Sequence, residues 1–208
     1  MTKIHPEKLA YWYFRLNGCL TIENFVVHPD WRRGQQTEID LIAVRFPHRS
    51  DLLNKSMIDD QKIFSDPSRI RIIFAEVKKG TCNLNRTLEN RNFKNMQRIL
   101  QALGAFKLSR TNTVANSLYD KGVYKDSTYL VSIFLMGSNE NKELKKKYPE
   151  VSQLTWEEIL KFIFFRFQKY KNQKLSHSQW DDAGRQLWNR AMESHDFDGF
   201  KNSIEVRT

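Results

Sequence analysis

The sequence predicts an α/β protein in which a mixed β-sheet is flanked by helices. Apolar strand-like runs, Thr37–Val44 (TEIDLIAV), Arg69–Lys79 (RIRIIFAEVKK) and Thr128–Met136 (TYLVSIFLM), alternate with segments of helical periodicity. Their order is helix, three strands, helix, strand and then two helices, which suits a sheet covered by helices. Of the 208 residues, 40% are hydrophobic and 28% charged, a composition able to bury a core.

Pro6–Leu16 is predicted to open the chain as a helix. Proline stands near its start, Glu7 in its first turn and Asn17-Gly18 at its end. Leu9, Trp12, Tyr13 and Leu16 form its apolar stripe. Cys19–His28 follows as a strand, ended by His28-Pro29-Asp30, where Asp30 is expected to cap the turn Trp31–Gln36. Thr37–Phe46 is the next strand. Pro47–Ser68 is polar and bounded by prolines, so it is expected to be an insertion, with a short helix near Leu52–Ile58. The strand Arg69–Lys78 follows, then an irregular Thr81–Asn92 and an amphipathic helix Phe93–Leu108 with Met96, Leu100, Leu103 and Phe106 on one face. Beyond the Thr128–Met136 strand, the lysine cluster 142, 145–147 is expected in a charged loop or helix end. Thr155-Trp156-Glu157-Glu158 forms a capping box for a helix through Phe162, Ile163 and Phe167. His177 or Ser178 is expected to open a last helix striped by Trp180, Leu187, Trp188 and Ala191. Residues 1–150 are therefore expected to form a core domain, and 151–208 a two-helix extension packed on it.

Lys and Arg outnumber Asp and Glu by 34 to 24, a net charge of +10. Such an excess favours polyanions, nucleic acid foremost. Cys19 and Cys82 form neither a CxxC pair nor a disulfide framework, the histidines lack zinc-site spacing, and no glycine-rich phosphate loop is present. The N-terminal stretch does not read as a signal peptide, and no apolar run reaches the length of a membrane span. A cytoplasmic, reduced protein without a membrane partner is expected.

The informative anomaly is charge on the core strands. Glu38 and Asp40 share a strand face, as do Ile72, Phe74, Glu76 and Lys78. Burying such groups is costly unless they are paired or hold a metal. The spacing acid–x–Lys occurs four times, at Asp60/Lys62, Glu76/Lys78, Glu140/Lys142 and Glu143/Lys145. Only Glu76/Lys78 ends an apolar strand that follows another acid-bearing strand. If the two strands are neighbours, Asp40, Glu76 and Lys78 converge. Two carboxylates suit a hard divalent cation such as Mg²⁺, and the lysine can orient a water and stabilise charge on a phosphate.

GQQTEIDLIAV followed by RIIFAEVKKG resembles the PD-(D/E)xK nuclease superfamily, close to its Holliday-junction-resolvase-like and Mrr-type branches. The resemblance covers roughly Pro6 to Gly137 and implies a restriction-endonuclease-like fold. It also implies catalysis by Asp40, Glu76 and Lys78 with Glu7 from the first helix. Asp40, Glu76 and the Val77 carbonyl would hold Mg²⁺, with Mn²⁺ as substitute; Glu38 and Gln97 (or Gln101) would be accessory. Arg32, Arg33 and Lys79 flank the site as candidate phosphate contacts. The expected activity is metal-dependent hydrolysis of DNA, in restriction, defence or repair. The alternatives are a non-catalytic nucleic-acid-binding or assembly subunit and an RNA nuclease. A homodimer or a larger complex is the expected assembly.

Overall fold

In a computed structural model of the chain, the described residues are 1–30, 34, 36–53, 55–61, 64, 66, 68–175 and 180–206. They form a mixed sheet of six strands covered on both faces by helices, the architecture expected above. In chain order the elements are β1 (Thr2–Ile4), α1 (Pro6–Leu16), β2 (Leu20–Val27), β3 (Thr37–Arg45), β4 (Ile70–Val77), α2 (Arg86–Glu89), α3 (Asn95–Leu103) and α4 (Leu108–Lys121). They continue with β5 (Val123–Lys125), β6 (Tyr129–Gly137), α5 (Lys142–Lys147), β7 (Ser152–Thr155), α6 (Trp156–Lys169), α7 (Lys171–Lys174), α8 (Asp182–Glu193), α9 (Phe197–Ser203) and β8 (Ile204–Val206).

The sheet runs β2-β3-β4-β6-β5, with β7 also paired to β6. β2, β3 and β4 are mutually antiparallel neighbours, whereas β4 and β6 are parallel, joined by a crossover that contains α3 and α4. Burial on both faces explains why β4 and β6 read as near-continuous apolar runs. One face, with Leu41, Ala43, Ile73, Ala75 and Phe134, packs on α1, α6, α8 and α9. The other, with Ile42, Ile72, Phe74, Ile133 and Leu135, packs on α3 and α4.

The C-terminal segment shares the first of these cores rather than having one of its own. Ile159, Ile163 and Phe167 of α6 and Leu187 and Ala191 of α8 join the cluster built around α1. Trp12 donates from Nε1 to Asp181 at 2.8 Å, and Gly184 lies against its indole, where a Cβ would come within 1.9 Å. The capping box at Thr155 forms as expected. The last helix is instead capped by Asp181, which accepts from Gly184 N; His177 and Ser178 lie outside the described residues.

Three other expectations differ. The predicted helix Phe93–Leu108 stops at Gly104, which takes φ +72° and caps α3, and α4 begins at Leu108. The stretch expected to be irregular before it contains α2. Among the described residues of Leu52–Ile58 there is no helix. That insertion is anchored by a charge cluster: Asp59, 6% exposed at its side chain, pairs with Arg45, with Arg49 at 2.6 Å and with Arg166 at 3.1 Å. Arg166 also donates to Leu16 O, so one carboxylate ties the insertion to β3, to the end of α1 and to α6.

Candidate active site

The antiparallel ladder between β3 and β4 ends at Leu41 paired with Ala75. One position further on stand Asp40 and Glu76. The regular alternation of β3 breaks at this point, because Leu41 belongs to the α1-side core while both Ile39 and Ile42 belong to the opposite one. In β2 the residue between the partners of Leu41 and Ile39 is Asn24, at φ +51°. Asparagine tolerates this left-handed conformation better than other side chains do. Local breaks of this kind re-aim side chains beside functional sites.

The freed Asp40 carboxylate reaches across to β4, where Oδ2 accepts a hydrogen bond from Val77 N at 2.7 Å. Lys78 Nζ lies 3.0 Å from Glu76 Oε2 and 3.6 Å from Asp40 Oδ2, so one ammonium bridges two carboxylates. The Lys78 backbone is itself fixed, its N–H donating to Met136 O of β6 at 2.8 Å. Immediately afterwards the chain crosses β6 at Gly137, where a Cβ would lie 2.4 Å from Gly80 O and 2.7 Å from Cys82 N. Glycine is required there by that close approach. Trp156, at the start of α6, donates to Lys79 O at 3.4 Å, so the C-terminal helices brace the same loop.

Glu76 is only 2% exposed. Burial, with the negative charge of Asp40 second, pushes its carboxyl up to about 7, against the pull of Lys78; Glu38 adds a smaller push. Burial works against the Lys78 ammonium, but Glu76 and Asp40 together outweigh it and raise its pKa. The pair is a strongly coupled acid and base at one end of the sheet.

The remaining residues fall as follows. Glu38, on β3 opposite Val26, is close enough to weigh on Glu76. Glu7 lies in the first turn of α1 with its carboxylate 3.8 Å from His5 Nδ1. Gln97 accepts from the Tyr119 hydroxyl at 3.2 Å, in the α3–α4 interface. Lys79 is exposed. Arg32 and Arg33 lie outside the described residues, as does Lys62. Glu140, Lys142, Glu143 and Lys145 are solvent-exposed, consistent with the surface setting expected of them. Both cysteines are buried free thiols. What sequence reasoning missed is the break at Asn24 and Asp40, whose only sequence signal is an asparagine within a strand.

The donor chemistry at this site is hard oxygen. Asp40 and Glu76 each engage one carboxylate oxygen in the contacts described, Oδ2 and Oε2, and the Val77 backbone lies between their side chains. That set fits Mg²⁺ or Mn²⁺, which take carboxylate and carbonyl oxygens and retain waters. Among the described residues no group of three or more His, Cys, Asp or Glu is arranged to hold a metal, so the protein would supply two acidic ligands rather than a closed cage. No described helix is long and apolar enough to cross a membrane.

No protein-family model matches this chain, and no curated protein and no solved structure matches it.

Proposed function

We propose that this protein is a metal-dependent endonuclease of the PD-(D/E)xK class that hydrolyses phosphodiester bonds of DNA. The observation that supports it most is the meeting of Asp40, Glu76 and Lys78 on two adjacent core strands, with Lys78 Nζ 3.0 Å and 3.6 Å from the two carboxylates. A nearly buried ion cluster that only stabilised the fold would be replaceable by apolar residues at little cost. A cluster at the open end of a ladder, on backbone fixed by neighbouring strands, suits a catalytic constellation instead.

In this reading Asp40, Glu76 and the Val77 carbonyl hold Mg²⁺, which polarises the phosphate and acidifies a bound water. Lys78 orients the attacking water and faces the charge that develops on the phosphoryl oxygens. Its two carboxylate partners keep it protonated at neutral pH. Asp40 is held in place by Val77 N–H, and Glu38 adds negative potential beside Glu76 that favours a cation. The net charge of +10 favours approach to a polyanion. Cleavage by attack of water would leave a 5′-phosphate, as the resemblance implies.

The test is a panel of supercoiled plasmid, linear duplex, single-stranded and branched DNA, and RNA, each incubated with Mg²⁺ or Mn²⁺. The expected result is metal-dependent cutting of DNA that EDTA abolishes. Cutting of RNA alone would overturn the substrate class. No cutting, combined with no Mg²⁺ binding by calorimetry, would overturn the enzyme.

A further inference from the structure

A second cavity lies beside the carboxylate pair. It holds about 490 Å³ between the β2–β3 end of the sheet and α3, lined chiefly by His28, Asp30, Gln36, Arg98 and Gln101. The strands connect it to the site: Gln36 N–H donates to Val27 O at 2.8 Å, Val27 pairs with Thr37, and Val26 pairs with Glu38. Gln36 precedes Asp40 by four residues, about 13 Å along an extended strand. That distance is roughly three to four nucleotides of a stacked nucleic-acid strand.

The lining is not that of a phosphate seat, which would be cationic throughout. It carries one guanidinium, one carboxylate, two amides and an imidazole, and so offers donors and acceptors of both signs. This is the chemistry that reads a nucleobase edge: Arg pairs with guanine acceptors, Gln with adenine, and Asp accepts from an exocyclic amine. The exposed His28 ring and Pro29 provide flat surfaces for a base to lie on. Arg98 and Gln101 project from α3, whose core face is formed by Met96, Ile99 and Leu100, so neither is needed to hold the helix down.

We propose that this cavity receives an unpaired nucleobase of the substrate strand, three or four nucleotides from the bond that is cut. The substrate therefore carries single-stranded or unpaired nucleotides beside the scissile bond, since a paired base must leave its stack to enter. The proposal rests on the nuclease reading for its substrate but not for its measurement.

The test is fluorescence anisotropy with wild-type protein in EDTA, where cleavage is suppressed. Three probes are compared: a single-stranded oligonucleotide, its abasic counterpart, and the matching duplex. The expected result is about tenfold weaker binding of both the abasic strand and the duplex. Arg98→Ala and Gln101→Ala should bind the normal strand as weakly as wild type binds the abasic one, with no further loss on the abasic strand. Arg98→Lys separates readout from charge, because a lysine keeps the cation and loses the planar fork. Rescue by lysine, equal binding of all three probes, or equal base dependence in wild type and both alanine variants would overturn the inference. If the variants keep the wild-type base dependence while the protein cleaves DNA in Mg²⁺, the cavity proposal fails and the nuclease stands. If the base dependence maps to Arg98 and Gln101 but nothing is cut, the nuclease reading fails and the cavity stands.

Discussion

Replacing Glu76 by glutamine should make the metal-free protein more stable at alkaline pH than the wild type. The Glu76 carboxyl is raised from 4.5 to about 7, chiefly by burial and then by Asp40. Between those values the folded protein holds a proton that the unfolded chain has released, so wild-type stability falls as pH rises through that window. The difference corresponds to about 3 kcal/mol of stability present below the lower value and lost above the upper one. Glutamine has nearly the same shape and carries no charge. It also deprives Lys78 of its closer partner, which leaves Asp40 at 3.6 Å. That loss offsets part of the gain, so a net stabilisation of about 1–2 kcal/mol at pH 8 is expected, with little or none at pH 4.5. Urea denaturation in EDTA at pH 4.5, 6 and 8 measures it directly, provided the slopes match. A stability difference that does not change with pH, or one that favours wild type more strongly at pH 8, would refute the account of Glu76.

Other perturbations probe the parts around it. Asp59→Ala leaves the buried guanidiniums of Arg45 and Arg166, and that of Arg49, without their shared carboxylate; a loss of about 3–5 kcal/mol is expected in denaturant unfolding. Gly18→Ala meets both a φ of +73° and the Arg49 guanidinium, 1.5 Å from the added Cβ, and should lower stability by about 1–3 kcal/mol. Gly137→Ala forces the 80–82 loop away from β6. Cleavage should fall through displacement of Lys78 by more than the accompanying drop in melting temperature explains. Asp40→Asn keeps the acceptor for Val77 N–H and removes a charge, so Mg²⁺ affinity by calorimetry should drop about tenfold or more while the fold survives.

The parts of the fold legible in the sequence were those with a strong period or a strong cap. Pro6–Leu16 has proline at its start, an apolar stripe and a terminal Asn-Gly; Trp156–Lys169 has its capping box. The strands β3, β4 and β6 announced themselves by apolar runs, and the four acid–x–Lys spacings were separated by their surroundings alone. α4 was hidden because LSRTNTVANSLYDK buries mainly small or moderate side chains, Thr111, Val114, Ala115 and Leu118, beneath a polar exterior. β1, β5, β7 and β8 are three or four residues long, too short to display alternation, and they are defined by partners distant in the chain. Asp59 sat in a segment that read as a solvated insertion. Its burial depends on Arg45 and Arg166, which lie 14 and 107 residues away. The candidate site itself was half legible. Its residues stood out as charges on core strands, but the break at Asn24 and Asp40 that turns one carboxylate toward Val77 depends on three strands pairing at once.

The most direct test of the central claim is a single-turnover cleavage rate on DNA in Mg²⁺ for wild type and Lys78→Ala at matched folded concentration. Lys78 is about a third exposed, so its removal should leave the fold intact. A fall of about 10²-fold or more in rate, with DNA binding in EDTA preserved, is the predicted result. Equal rates from the two proteins would remove Lys78 from catalysis and contradict the reading of Asp40, Glu76 and Lys78 as one active site.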